Sequence, residues 1–544
     1  MSARRPEAWV LAVAALLFLW QLGGHDLWAP DEPYFGEGAR EMVVEGHWLV
    51  PHVNGRVTTD KPPLFFWTIA VLSLPGGEVT PWTARLPSAL AALGTLLLVI
   101  RLGRRLDRKG GGGRLAWLAP LVLSVTLMFW EKARWAQIDA MLCLLIWVAL
   151  SAFEAWRAGD ARGRPAGLLF WLAAGLAVLA KGPVGLLLPL GIALVTLATD
   201  RRLRDWRGFA PVTGPLLFAV VVGAWIVAAT FWSAADYSVW SALREHLVGR
   251  AVHGMHHVQP PWYYLEVLPL HLLPWSGLVP GALVLAWRRR RQAGDRWLLV
   301  VVSFVVLFFS ISTEKRDLYV LPAMPAFALL VARLVDALAF PRAEEPAPPV
   351  GRRWLFGSQV AVGGLLALAG AVVPVVARGR DEAPYWVALV LAAVLLATGL
   401  ATLWACRRSR PLYAALAPAA GFAAGYLFAV TFLYPALEPR KSARPFSLKV
   451  AAATEASRAA GLPVLAYDLA NVPEAFAFFG DGLYTVETED LGAVAEHLRR
   501  PEEVWAVVRG SALERLPEDV REQLVVVAED RLSRRDVALV TNRP

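Results

Sequence analysis

Cysteine, charge and phosphate-binding glycine motifs are what this 544-residue chain has least of. Its 2 cysteines, Cys143 and Cys406, fall within or at the edge of apolar runs, which excludes a disulfide framework. Only 18% of the residues are charged, against 57% hydrophobic. The apolar runs are roughly 17 to 23 residues long, the length that crosses a bilayer. A large soluble enzyme would need amphipathic helices, whereas most of these runs are apolar all round. The glycines Gly110–Gly113 lack a following Lys-Ser/Thr pair, so they read as a linker and not a phosphate loop. MSARR and the run Ala8–Trp20 resemble a signal peptide, but no clear small-residue cleavage site follows; the run reads as a retained first helix.

The remainder is a polytopic membrane protein. Apolar runs place spans near 8–24, 82–101, 115–130, 137–156, 166–180, 183–199, 209–231, 263–286, 297–312, 318–339, 354–376, 385–404 and 411–433. That makes about thirteen. The net charge of +9 resides in short basic tracts between spans, which argues for membrane orientation and against nucleic acid. The tracts at Arg4-Arg5, 101–114, 157–164, 201–207, 288–296, 342–353 and 407–410 all fall on one side, expected to be cytoplasmic with the N-terminus. The opposite side then receives the loop 25–61, residues 131–139, Lys181, the His-rich segment 244–262, residues 314–317 and everything after about 434. The 24 tryptophans suit interfacial anchoring. From Pro435 onward, strand-like runs (464–467, 504–508, 524–528, 537–541) alternate with helix-like ones (447–460, 491–499), which predicts a small soluble α/β domain over 435–544 after a transmembrane domain over 1–434.

The polar loop 25–61 is long for a spacer, and such connections are commonly functional. Within it Phe35, Ala39, Met42 and Val43 share one helical face while Glu37, Arg40, Glu41 and Glu45 share another; Pro33 suits the first turn and Gly46 the end. This predicts an interfacial helix with Asp31 and Glu32 at its start. Asp31 read alone is equally a helix N-cap. Lys61-Pro62-Pro63 opens a second interfacial or re-entrant helix. With Lys61, the cations Arg134, Lys181, Lys315 and Arg316 come from the same external side, and together they suit an anionic lipid phosphate, although a single lysine at a membrane surface usually just snorkels. Asp139, at the mouth of a span, calls for a cationic partner. His253 and His256, with Asp60, are candidate ligands for a divalent metal such as zinc; a solvated histidine patch is the competing reading.

In chain order the segments LWAPDEPYFGEGAREM, TTDKPPLFFW, ARLPSALAAL, ARWAQIDAML, LAKGPVGLLLP, HHVQPPWYYLEVLP and STEKRDLYVLPAMPAFAL resemble glycosyltransferase family 39. Within that family the likeness is to the bacterial aminoarabinose transferases that modify lipid A, with protein O-mannosyltransferases more distant. It covers roughly residues 20 to 335, and the later spans by topology alone. The resemblance implies a GT-C fold and an inverting, periplasmic-side transfer in the bacterial inner membrane. The donor would be a polyprenyl (undecaprenyl) phosphate sugar and the acceptor a lipid, most simply lipid A, or a protein. It makes Asp31 the principal catalytic carboxylate with Glu32 beside it and Asp139 in support. Lys61 and Lys181 would bind donor phosphate. Tyr34, Tyr319 and His257 would line the cavity, with His256 near the phosphate or metal pocket; the chain would act as a monomer. Two departures stand out. The family reads Asp-Glu-Pro-Arg-Tyr where this chain has Asp31-Glu32-Pro33-Tyr34-Phe35, and Asp60 stands where a glutamate is usual. A transporter or flippase for lipid-linked sugars is the reading from another class. It requires ionisable groups near span midpoints and internal repeats; His271 is the best datum for it. A non-catalytic scaffold would leave the external charges unexplained.

Overall fold

The computed structural model describes residues 6–58, 61–107, 113–232, 258–341, 351–379, 383–469, 472–532 and 535–543. The chain separates into two compact units. One comprises Met1–Gln21, Thr59–Leu64 and Pro87–Leu433, the other Leu22–Thr58, Phe65–Leu86 and Tyr434–Pro544.

The first unit is built from apolar helices. After α1 (Pro6–Leu19) come α4 (Pro81–Asp107), α5 (Leu115–Val125), α6 (Leu127–Arg134), α7 (Asp139–Arg157), α8 (Gly163–Lys181), α9 (Val184–Thr199) and α10 (Thr213–Trp232). They are followed by α11 (Tyr263–His271), α12 (Val279–Arg288), α13 (Ala293–Ile311), α14 (Met324–Ala339), α15 (Arg352–Ala377), α16 (Tyr385–Arg407) and α17 (Pro411–Phe428). Among the described residues nine helices are long and apolar enough to cross a membrane, or ten when the bent pair α5–α6 counts as one span. Two expected spans are broken. At Thr126 the backbone is extended and the chain turns by 69°, and the run expected as one helix over 263–286 divides between α11 and α12. α15 and α16 approach closely at Gly363 and Gly399, where a Cβ on Gly399 would stand 2.5 Å from the Gly363 carbonyl oxygen. Small residues permit such backbone contact between apolar helices.

Three of the seven basic tracts, 101–114, 157–164 and 288–296, are tied to neighbouring helix ends by ion pairs. Arg105 pairs with Asp160 at 2.6 Å, Arg157 with Glu154 and Asp200 at 2.6 and 2.7 Å, and Arg296 with Asp200 at 2.8 Å. Arg114 meets Asp336 at 3.3 Å, and Arg333 pairs with Asp295. These contacts place loops from five parts of the sequence at one end of the helices.

The second unit holds α2 (Asp31–Glu45), the hairpin of β1 (His52–Val53) and β2 (Arg56–Val57), most of α3 (Leu64–Ser73), and the C-terminal residues. A five-stranded sheet is formed by β3 (Val464–Tyr467), β4 (Thr485–Thr488), β5 (Trp505–Arg509), β6 (Val525–Leu532) and β7 (Arg535–Thr541), in the order β4-β3-β5-β7-β6. β3 runs parallel to β4 and β5, with Val464 opposite Thr485 and Trp505; β7 is antiparallel to β5 and β6. The alternation of side chains explains the two cores. Val464 and Ala466 pack with Phe446, Val450 and Phe476 on one face, and Leu465 and Tyr467 with Val494 and Leu498 on the other. A strand covered on both faces reads as a continuous apolar run, so β3 and β5 were legible. β4, with the sequence TVET, is an edge strand with exposed positions and escaped the pattern.

Candidate active site

α2 begins at Asp31 and ends before Gly46, whose φ of 80° supplies the left-handed turn that glycine tolerates. Pro33 lies in the first turn as expected. The N-cap reading of Asp31 is corrected: Pro30 occupies the cap, no side chain caps the helix, and Asp31 is its first residue. The polar face is not solvated either, since Glu32, Glu37, Arg40 and Glu41 are all buried.

Glu32 is locked by an arginine from the start of α4. Arg85 donates Nε to Glu32 Oε1 at 2.7 Å and Nη2 to Oε2 at 2.8 Å, and the Trp28 N–H adds a third bond at 3.1 Å. Arg85 also reaches the carbonyl oxygens of Leu22 and His25 at 2.9 Å and of Asp26 at 2.7 Å. The pair is dry, at 0% and 1% exposure. One guanidinium thus fixes both the loop before α2 and its first turn. Sequence reasoning missed Arg85, although a lone arginine opening an apolar run signals a buried partner.

C-terminal residues complete this unit. Glu438 accepts the Asp26 N–H at 2.8 Å and the Trp28 indole N–H at 2.9 Å. Burial pushes its carboxyl pKa up. Asn54 exchanges two hydrogen bonds with the Thr485 backbone, both at 3.0 Å. Arg40 binds Glu37 at 2.8 Å and the Tyr484 hydroxyl at 3.0 Å. Tyr34 hydrogen-bonds Thr58 at 2.7 Å. Glu474, whose carboxyl is pushed up to about 7, mainly by burial and further by the charges of Glu487, Glu37 and Asp31, is another C-terminal contribution.

In the first unit the structure joins Asp139, at the start of α7, to Lys181, at the end of α8, in a salt bridge. Antiparallel neighbours place these two ends together, which supplies the cation that Asp139 required. The Lys181 ammonium also lies 4.9 Å from the Tyr319 ring centroid, a cation–π distance. Arg134 is engaged differently. Its Nη atoms donate to the carbonyl oxygens of Leu17 and Phe18 at 2.9 Å, Trp20 at 2.8 Å and Gln21 at 3.2 Å, capping the end of α1. Lys315 is buried with its ammonium donated to the Gln259 carbonyl at 2.8 Å and to that of Ser312. The Arg316 carbonyl accepts the Tyr264 hydroxyl at 3.1 Å. His271 pairs with Asp317 at 3.1 Å, a contact the sequence did not suggest. Lys61 is half-buried just before α3. Asp60, His253, His256 and His257 lie outside the described residues.

Chemically, the first unit offers an ammonium held by a carboxylate and an aromatic ring, a place for an anion. The second offers a helix start whose Asp31 follows an immobilised loop and precedes a neutralised glutamate.

The family model described as dolichyl-phosphate-mannose-protein mannosyltransferase matches residues 60–232. The undecaprenyl phosphate-alpha-4-amino-4-deoxy-L-arabinose arabinosyl transferase of Edwardsiella ictaluri is 31% identical over 403 residues, covering 73% of this chain and 70% of that protein. Its counterpart from Pseudomonas aeruginosa is 33% identical over 335 residues, covering 61% of this chain. The chain spans about 60% of the length of the Pseudomonas aeruginosa relatives it matches. Among solved structures, ArnT from Cupriavidus metallidurans bound to undecaprenyl phosphate is similar with a TM-score of 0.75 at 21% identity, over 98% of this chain and 97% of that one.

Proposed function

We infer that this chain, which belongs to the family of undecaprenyl phosphate aminoarabinose arabinosyl transferases, is an integral-membrane inverting glycosyltransferase. It moves a sugar from undecaprenyl phosphate to an envelope acceptor, most simply lipid A, as the names of its relatives suggest. The reading extends to about thirteen crossings of the inner membrane. α1, α9 and the broken α11–α12 pair would then count as spans, with a cytoplasmic N-terminus and a periplasmic α/β domain from 435 onward.

The observation that carries the reading is the grouping of Lys181 with Asp139 and Tyr319. Displacement at the anomeric carbon breaks the bond to the lipid phosphate, and the departing phosphate gains negative charge. A fixed ammonium stabilises that charge more in the transition state than in the ground state. Asp139 keeps the ammonium in place until the donor arrives. Lys61 is assigned to the same phosphate. Lys315 and Arg134 donate to backbone carbonyls, which favours support of the neighbouring loops as their main task.

Asp31 is assigned as the catalytic carboxylate. If the acceptor is a hydroxyl, Asp31 takes its proton as general base. If it is a phosphate of lipid A, the attacking oxygen is already ionised, and Asp31 orients it and balances charge. Glu32, with both oxygens held by Arg85, supports Asp31 by fixing the helix start. The test is mass spectrometry of lipid A and of envelope glycoproteins from cells with and without the gene. A sugar-sized mass lost from lipid A supports the reading, a loss confined to glycoproteins redirects it to protein O-glycosylation, and unchanged spectra in both fractions refute it.

A further inference from the structure

Glu37, Glu41 and Glu45 follow one another at i, i+4 spacing toward the C-terminal end of α2. Like charges so stacked repel, and the helix dipole presents its negative end there as well. One guanidinium serves two of the three: Arg40 lies 2.8 Å from Glu37 and 3.4 Å from Glu45. Glu41 is fully buried. One of its oxygens accepts the Gly55 N–H from the β1–β2 turn at 3.0 Å, the other is buried with no donor facing it, and the carboxyl group lies against that of Glu37. Burial, reinforced by repulsion from Glu37 and opposed by the Gly55 N–H, pushes this carboxyl up to about 8. A buried carboxylate in surplus of its cations takes up either a proton or a metal ion.

The chain itself brings in a nitrogen. Gly46 ends the helix with its positive φ, and the next residue, His47, sets Nε2 at 3.4 Å from Glu45 Oε2. The His47 ring is held by stacking on His52, with centroids 3.9 Å apart. The ligand atoms of Glu41, Glu45 and His47 all lie within 4.8 Å of one another, the one such trio among the described residues.

We propose that Glu41, Glu45 and His47 bind a divalent d-block cation, with Zn2+ the best match. Imidazole nitrogen with carboxylate oxygens is a zinc donor set, and three protein ligands leave a fourth position for water. The cation neutralises the surplus of carboxylates and joins the end of α2 to the residues beyond it. Glu41 is ten residues from Asp31, about 15 Å along the helix, so the metal fixes the helix that carries Asp31 and touches no reacting atom.

The test uses the full chain in detergent, stripped with a chelator, re-equilibrated with Zn2+ alone and freed of excess. Zinc per chain is counted by mass spectrometry in the parent, His47→Ala and Glu41→Gln. His47 is half exposed and glutamine is isosteric with glutamate, so both variants should fold; retained far-ultraviolet circular dichroism checks this. The parent is expected to keep one equivalent more than either variant. Zn2+ affinity should fall at least about tenfold in His47→Ala, and Zn2+ should raise the melting temperature of the parent alone. Equal zinc in all three proteins, or a melting temperature that Zn2+ moves equally in all three, overturns the proposal and leaves a proton on Glu41.

Discussion

Replacing Glu32 by glutamine should unfold the second unit before it touches chemistry. In the parent, Glu32 accepts two charge-assisted bonds from Arg85 and one from the Trp28 backbone. Glutamine keeps one acceptor oxygen, and its NH2 faces either Arg85 Nε or, in the flipped orientation, Arg85 Nη2 and the Trp28 N–H together, setting donor against donor. One bond to a charged group is lost in either orientation, about 1.5–3 kcal/mol, and in the flipped one the Trp28 backbone bond of about 1 kcal/mol goes with it. Arg85, at 1% exposure, is left as a buried charge without its counterion. Breaking a buried pair from one side costs about 3–5 kcal/mol in total. Thermal unfolding in detergent, followed by tryptophan fluorescence, should show a midpoint lowered by on the order of 10 °C. Asp31→Asn is the control: half-buried and one residue away, it should shift the midpoint by a small fraction of that. A Glu32→Gln protein that melts within about 2 °C of the parent yet transfers no sugar would show the reasoning to be wrong, and would make Glu32 a participant in the reaction.

Three further outcomes are expected. Lys181→Met should lower kcat/KM for the undecaprenyl-phosphate donor by at least about 100-fold, the scale of one lost transition-state contact, in a proteoliposome assay; a change under about threefold would remove Lys181 from phosphate binding. Asp31→Asn should abolish transfer to a hydroxyl acceptor and only weaken transfer to a phosphate acceptor. Equal losses in parallel assays would contradict the two roles given to Asp31. Glu474 has a raised folded pKa, about 7 against an ordinary 4.5. Its neutral form is therefore favoured by the fold, and the stability it contributes is complete below about 4.5 and lost as pH rises through about 7. Glu474→Gln should match the parent near pH 4.5 and exceed it at pH 8 by about 1–3 kcal/mol, read by melting at both pH values; a variant less stable than the parent at pH 8 would contradict the burial argument.

Much of the fold was legible because bilayers impose a length and a composition on whatever crosses them. The spans at 137–156, 166–180 and 385–404 correspond to α7, α8 and α16 within a few residues. The sidedness of the basic tracts has a counterpart in the ion pairs that gather Arg105, Arg157, Arg296 and Arg114 at one end. The breaks in 115–130 and 263–286 were not legible, since an apolar run reads alike whether its backbone continues or turns.

What the amino-acid order determined by itself was the class of solvent each segment faces, and so most of the helices, their rough ends and the strands β3, β5, β6 and β7. Tertiary structure alone decided the partners. Asp139 announced that it needed a cation, but only the antiparallel seating of α7 against α8 made that cation Lys181. Glu37 and Glu41 looked like a wet helical face, and only the packing of residues hundreds of positions later, Tyr484 among them, makes it a dry one. The physical reason is that hydropathy is a sum over local residues, whereas the pairing of buried charges depends on distances between segments that no local sum contains.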